Sequence, residues 1–368
     1  MKFEAAVLHK VGDPLRIEQV ELLGLERQDV LVRMWASGLC HTDLEVMQGT
    51  LAYPLPIVLG HEGAGIVEEV GPDVTRVKPG DHVVCSWNPH CGHCFYCERD
   101  QPILCEPFSK HQPSGFLMDG RSRYRLNGRM LHHFSTVSSH AQYCVVPESG
   151  AVAVPRDIPF DRACLIGCGV MTGVGAVVRH AKVEHGSHVL VVGCGAVGLN
   201  VLQGARLAGA ETIIAVERSA GRRDICMRMG ATHFLGPDVH DPLTAVRDLT
   251  SARGADYVFE CVGSESTLRL GLEATRPGGQ MVILGKTQVN NDVRLRFGSI
   301  MGDKRIVRSS YGGARPRRDF PWLAQRYLDG QLYLDELVSL RLPLSDINLG
   351  FDAMVRGEII RAVVEFPG

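Results

Sequence analysis

His188–Gly198, HVLVVGCGAVG, runs an apolar, strand-like stretch directly into Gly193-Cys194-Gly195-Ala196-Val197-Gly198. A G-x-G-x-x-G hexad is a weak signal in a chain with 41 glycines. Here it closes a strand-like run, opens the helix-like GAVGLNVLQGARLAG, and is followed by an acidic residue, Glu217, 24 positions after Gly193 at the end of TIIAVE. That context predicts a dinucleotide-binding turn. Gly193 permits the tight bend, Gly195 lets backbone approach a pyrophosphate, and Gly198 lets helix and strand pack closely, while the helix N-terminus offers unpaired N–H groups. Glu217 is placed to accept hydrogen bonds from the adenosine ribose hydroxyls and to repel a 2′-phosphate, which favours NAD over NADP. Arg218 is the neighbour that could serve a phosphate instead.

Outward from this turn the pattern continues. From about Gly167, apolar runs (HVLVVG, TIIAVE, YVFECVG, QMVILG) alternate with helical stretches, which predicts a parallel sheet built from βαβ units. The first third instead mixes short β-like runs (AAVLH, VLVRMWA, GAGIVEEVG, DHVVCSW, AQYCVVP) with Gly and Pro punctuation and predicts a mostly-β domain. The closing IIRAVVEF is strand-like and is expected to rejoin that first domain. The division expected is 1–168 with 313–368 for one domain and 169–312 for the other. The 368 residues fit two cores better than one.

Lys and Arg number 39 against 41 Asp and Glu, a net charge of −2, so the chain has no global attraction to nucleic acid or to an anionic membrane. AAVL near the start is too short for a signal-peptide core, and HVLVVGCGAVGLNVLQGA is too interrupted to span a bilayer. The expectation is a soluble, cytoplasmic protein. The basic run GARPRR (Arg315, Arg317, Arg318) reads as a solvated loop.

Two cysteine constellations stand out. Cys91, Cys94, Cys97 and Cys105 lie in one loop, CGHCFYCERDQPILC. Four thiolates can close a tetrahedral zinc shell, which stabilises a loop but leaves no position for substrate; an iron–sulfur cluster or incidental thiols are the competing readings. A sparser set, Cys40 in GLCHTD, His61-Glu62 in VLGHEGAG and Cys168 in LIGCGVMTG, offers two thiolates and one imidazole. That mixed shell keeps a fourth position open and suits a catalytic zinc, although a cysteine taken singly is more often a small buried hydrophobe and His61 alone could be a satisfied core histidine.

The ordered motifs GLCHTD, GHEGAG, the four-cysteine loop, IGCGVMTG and VVGCGAVG with Glu217 resemble the zinc-dependent medium-chain alcohol dehydrogenases (medium-chain dehydrogenase/reductase enzymes). The branch is that of the liver-type enzymes and glutathione-dependent formaldehyde dehydrogenase, and the likeness runs from Glu4 to IIRAVVEF. It implies an α/β protein in which a GroES-like, mostly-β catalytic domain is joined to a Rossmann domain with a doubly wound parallel sheet. It also implies two zinc ions per subunit and NAD. In the resemblance Cys40, His61 and Cys168 hold the catalytic zinc, with Glu62 as an occasional or outer ligand, and Asp43 orients the zinc histidine. Residues 91–105 form the structural zinc lobe.

Thr42 corresponds to the hydroxyl that bonds the substrate alcohol, and Glu45 stands where many relatives carry a relay histidine. His41, Arg222 and Arg361 match groups near the cofactor phosphates, as Gly193, Gly195, Val197 and Gly198 match its turn, and Trp87 matches a residue lining the substrate channel. The implied reaction is the reversible oxidation of primary aliphatic or aromatic alcohols to aldehydes. The alternatives are S-(hydroxymethyl)glutathione (formaldehyde) dehydrogenase and a catalytically silent NAD- and zinc-binding regulatory module. Against the glutathione alternative, the family's acidic loop reads TLAYPLP here, and its arginine position holds Ser109 in EPFSKHQ. RSRYRLNGRMLHHF and RIVRSSYGG match segments of dimeric relatives, so a homodimer acting on a small molecule is expected.

Overall fold

The structure, a computed structural model, describes residues 1–288 and 290–367. The chain divides into Met1–Cys168 with Arg315–Gly368, and Gly169–Ala314.

In the second unit, six strands lie in the order His233–Leu235, Thr212–Val216, His188–Val192, Ala255–Glu260, Thr275–Ile283 and Arg305–Arg308, every neighbouring pair parallel. Leu190, Val191, Ile214, Val258, Phe259 and Val282 are all buried, as expected of strands covered by helices on both faces. The first strand in sequence, His188–Val192, lies at the centre, between the second and the fourth. That reversal of direction is the switch point at which doubly wound sheets bind dinucleotides. Two of the strands, His233–Leu235 and Arg305–Arg308, are short and lie at the sheet edges, and the apolar pattern did not announce them.

The first unit is built on Asp29–Gly38, a ten-residue strand. It pairs antiparallel with Glu62–Val70, Tyr143–Pro147 and Arg361–Glu365. A closed barrel of Lys2–Leu8, Arg16–Leu22, Tyr124–Leu126, Arg129–His133 and Ile57–Val58 completes the unit. The register matters most. Gly38 faces both Glu62 and Val363, so the residues just beyond Gly38, just before Glu62 and just before Val363 converge at one end of the sheet.

One sequence expectation changes, and two details are added. The return to the first unit falls at Arg315 rather than 313, because the turn Tyr311–Gly313 packs on Met171–Gly175. A Cβ on Gly312 (φ +63°) would lie 2.4 Å from the Met171 carbonyl oxygen. GARPRR is not a free loop. Arg315 donates from Nε to Asp100 Oδ1 (2.7 Å) and from Nη2 to the Asp100 carbonyl (2.8 Å), and the helix Pro316–Leu328 begins one residue later. Finally, Phe160–Ala181 is long and apolar enough to cross a bilayer, yet 72% of its apolar window is buried within the protein, so it is a core helix.

Candidate active site and metal centres

Cys40 precedes the helix His41–Met47, which starts three residues beyond Gly38, the end of Asp29–Gly38. His61 follows Gly60, whose φ of +94° turns the chain into Glu62–Val70. Cys168 sits in the wide π-type turn Ile166–Val170, an insertion that often marks functional positions in helices. Gly167 is held to this unit, since a Cβ there would meet the Cys85 carbonyl oxygen at 2.8 Å. The donor atoms of Cys40, His61, Glu62 and Cys168 all lie within 4.8 Å of one another.

The site's electrostatics suit a cation. A hydrogen bond from the Cys168 thiol, helped by the charges of Arg361 and His61, holds the Cys40 pKa well below the ordinary thiol value, while the same bond and burial push Cys168 up. Burial alone would depress His61, but the charges of Asp43 and Cys40 outweigh it and raise its pKa. Burial lifts Glu62 to about 8 against the pull of Arg361. Among the described residues no hydrogen bond reaches either carboxylate oxygen of Glu62; both are buried, and Oε1 is ion-paired with Arg361 Nη2 at 3.2 Å while Oε2 is left over. Buried charges of this kind persist when paired or when they coordinate metal. The residues present therefore fit zinc.

Behind the ligands, Asp43 is fully buried. It accepts from the Cys40 N–H (3.1 Å) and the Gly60 N–H (2.9 Å), and its Oδ1 lies 3.3 Å from His61 Nδ1, which leaves His61 Nε2 for the metal. Thr42 is half-buried, with Oγ1 3.9 Å from Cys40 Sγ. Glu45 is half-buried three residues further along the same helix, the spacing that puts two side chains on one face. His41 is exposed at the helix start. Trp87 is half-buried against the core of this unit, its ring 6.5 Å from that of Phe108. Phe134, which the sequence reading did not single out, stands edge-on to His61 at 5.5 Å and to Tyr53 at 5.0 Å.

The Arg361 guanidinium is buried in the first unit, with Nη2 3.2 Å from Glu62 Oε1 and 3.7 Å from Cys40 Sγ. The pairing of Arg361–Glu365 with Asp29–Gly38 carries it there.

The second constellation is local. Cys91, Cys94, Cys97 and Cys105 bring their four sulfurs within 4.8 Å of one another, with the Cys91 N–H donating to Cys105 Sγ at 3.3 Å. All twelve cysteines are free, so this is a thiolate cluster and not a disulfide framework. Four sulfurs at that spacing fit one tetrahedral zinc with no open position. Asp100, just beyond Cys97, ties the lobe to Arg315.

In the second unit, Gly193 has φ +87°, and a Cβ on Gly198 would lie 1.9 Å from the Gly193 carbonyl oxygen, so both positions require glycine. Gly195 caps the helix Ala196–Leu207, and an added Cβ there would meet only Arg222 Nη1 at 3.9 Å, which leaves its approach open to a ligand. Val197 is the second residue of that helix. The Glu217 carboxylate accepts from the Cys194 N–H (2.8 Å) and the Ser219 N–H (3.0 Å), which fixes it at the edge of the turn. Arg222 Nη1 donates to the Cys194 carbonyl oxygen at 3.1 Å. The turn fits a dinucleotide pyrophosphate, with a carboxylate at the ribose position.

A parallel sheet with a dinucleotide turn, joined in one chain to an open Cys/His zinc site and a closed four-thiolate site, defines a zinc- and nicotinamide-dependent dehydrogenase. Residues 26–156 match the alcohol dehydrogenase GroES-like domain and residues 196–329 the zinc-binding dehydrogenase domain. The chain is 40% identical to S-(hydroxymethyl)glutathione dehydrogenase of Paracoccus denitrificans, over 99% of this chain and 100% of that one. Among solved structures, an alcohol dehydrogenase zinc-binding domain protein from Burkholderia ambifaria superposes with a TM-score of 0.96 at 35% identity. Benzyl alcohol dehydrogenase from Acinetobacter calcoaceticus does so with 0.94 at 31%, and both matches cover 100% of each chain. The chain belongs to the zinc-dependent alcohol dehydrogenase family, in the branch of the liver-type and glutathione-dependent enzymes. It is an enzyme with zinc and NAD as cofactors, which removes the silent-module reading.

Proposed function

We propose that the protein oxidises the hydroxymethyl group of S-(hydroxymethyl)glutathione to the formyl thioester with NAD as acceptor. The observation that carries this reading is the full-length likeness, at 40% identity, to an enzyme of that name. It favours the glutathione alternative over the free primary alcohols expected first from the sequence. The carbinol loses a hydride and a proton in either case. When bound, zinc supplies Lewis acidity toward the alcohol oxygen and NAD the hydride acceptor. The chain's own residues do the rest. Asp43 fixes the His61 ring, the Thr42 hydroxyl takes the hydrogen bond and then the proton of the alcohol, and Glu45 receives it on the same helix face. Trp87 limits the width of the pocket, and Glu217 holds the cofactor ribose.

A free primary alcohol, aromatic above all, is the second reading. It is favoured by TLAYPLP and Ser109, where charged partners for glutathione are missing, and by the indole of Trp87, with benzyl alcohol dehydrogenase among the structural neighbours. The discriminating assay is NAD reduction with formaldehyde, with and without glutathione, beside benzyl alcohol. Turnover that requires glutathione supports the first reading. Turnover of benzyl alcohol with no glutathione effect on formaldehyde replaces it with the second. The reading includes a homodimer, supported by an edge strand, Arg305–Arg308, that has one partner among the described residues, and a reducing, cytoplasmic location in keeping with twelve free cysteines.

A further inference from the structure

We propose that His140 is a positioning residue for the catalytic metal, acting through Asp43 on His61. The inference rests on the zinc assignment of this site and is independent of which alcohol is oxidised.

His140 ends the segment Phe134–His140, in which Ser135, Thr136 and Ser138 hold φ of 50°, 58° and 59° although none is glycine. All three are buried. Left-handed backbone at such residues is costly and persists where the surroundings over-determine it. Here they do. Ser138 Oγ accepts the Phe134 N–H (2.9 Å) and donates to the Val58 carbonyl (2.9 Å). The Ser139 N–H donates to the Gly60 carbonyl and the His140 N–H to the Leu59 carbonyl, each at 3.0 Å. The segment is thus strapped to the three residues that lead into His61. A Cβ on Gly60 would lie 2.5 Å from the His140 nitrogen and 2.7 Å from its Nδ1, so glycine is what lets the strap close.

The imidazole of His140 is wholly buried. Its Nδ1 is 2.9 Å from Ser37 Oγ, which is 2.7 Å from Ser139 Oγ. Its Nε2 lies 3.9 Å from Asp43 Oδ1 and has no hydrogen-bond partner among the described residues. A carboxylate only accepts, so the tautomer that suits both ends carries the proton on Nε2. Nδ1 then accepts from Ser37, and Ser37 from Ser139. The whole chain of dipoles points its positive end at Asp43. At 3.9 Å this is a charge–dipole contact, and in a dry interior such contacts are strong. It adds to the Gly60 N–H and His61 Nδ1 at the same oxygen, Asp43 Oδ1, while Oδ2 takes the Cys40 N–H. Groups that orient a ligating histidine typically change metal affinity or activity by about 10–100-fold when removed.

The test uses the full-length protein loaded with zinc and follows release of each ion to a chromogenic chelator. The four-cysteine zinc serves as an internal control for the fold. His140→Phe keeps a ring but no donor, and is expected to release the catalytic zinc about 10-fold faster or more, with structural zinc release unchanged. His140→Gln, which can present an amide N–H, is expected to recover part of the loss. Ser37→Ala, a smaller change, is expected to shift release in the same direction. With cobalt in the catalytic site, the visible absorption bands of His140→Phe are expected to move. Wild-type release rates and bands in both His140→Phe and Ser37→Ala overturn the proposal, and if His140→Phe does not fold, wild-type behaviour of Ser37→Ala overturns it alone. A wild-type protein that binds only one zinc would overturn the metal assignment itself, which is a separate result.

Discussion

Arg361 and Glu62 form a buried ion pair, Nη2 to Oε1 at 3.2 Å, and the same guanidinium reaches 3.7 Å from Cys40 Sγ. The two residues are 299 positions apart in the sequence and meet because Gly38 faces Val363 on one side and Glu62 on the other. Above the Glu62 pKa of about 8, Arg361→Met removes a counter-charge in contact with a buried carboxylate, and breaking such pairs costs about 3–5 kcal/mol. Denaturant unfolding of the variant beside the wild type measures it. A difference below about 1 kcal/mol would mean that Glu62 is neutral in the folded protein.

The four-cysteine lobe separates stability from chemistry. Without metal, burial drives Cys105 up to about 12, whereas for Cys94 the upward push of burial is outweighed by the combined hydrogen bonds of the Glu106 and Cys97 backbone and the Cys97 and Cys91 side chains, which bring it down to about 6, so the thiols are unequal until an ion gathers them. Cys97→Ser is expected to lower bound zinc from two ions to one and the unfolding temperature by on the order of 10 °C, with kcat at low temperature unchanged. Metal analysis and calorimetry check the first two. Unchanged stability would remove the structural role.

Glu217 is expected to set the choice between NAD and NADP. Glu217→Ala deletes the acceptor of the Cys194 and Ser219 N–H groups and the repulsion toward a 2′-phosphate. The kcat/KM for NAD is expected to fall by about 10–100-fold while that for NADP holds or rises. Parallel kinetics with the two cofactors decide it, and an unchanged NAD/NADP ratio would shift the discrimination to another residue.

His133 should shape the acid limb of stability. Burial, aided by the Arg123 charge, holds its pKa to about 3, and burial holds His140 to about 4. The Arg123 N–H donates to His133 Nε2 at 3.1 Å, a bond that requires the neutral ring. Unfolding restores a value near 6.5, so between the folded and unfolded values the unfolded chain binds more protons. Stability from this source is complete above about pH 6.5 and drains as pH falls, by as much as about 5 kcal/mol for His133. Urea unfolding at pH 7, 6 and 5 should show a shallower loss for His133→Phe than for the wild type. Parallel slopes would refute this.

The parallel sheet was legible because its inner strands are buried on both faces and read as apolar runs, and the dinucleotide turn because Gly193 and Gly198 are sterically compelled. The ligand sets were legible from residue type. The pairing of Arg361 with Glu62 was not legible because nothing in IIRAVVEF reveals its register against Gly38. His140 went unseen for a related reason. In AQYCVVP the strand signal starts one residue later, and its partners Ser37 and Asp43 lie about a hundred positions away. The left-handed backbone at Ser135, Thr136 and Ser138 falls on residue types that carry no such signature.

The two metal centres also differ in how much of the polypeptide must be in place before they exist. Cys91 to Cys105 spans fifteen residues, a loop short enough to close on an ion while the rest of the chain is still unfolded. Cys40, His61 and Cys168 come together only after the Asp29–Gly38 sheet has formed and the helix carrying Cys168 has docked. Refolding is therefore expected to fill the four-cysteine site before the site of Cys40, His61 and Cys168.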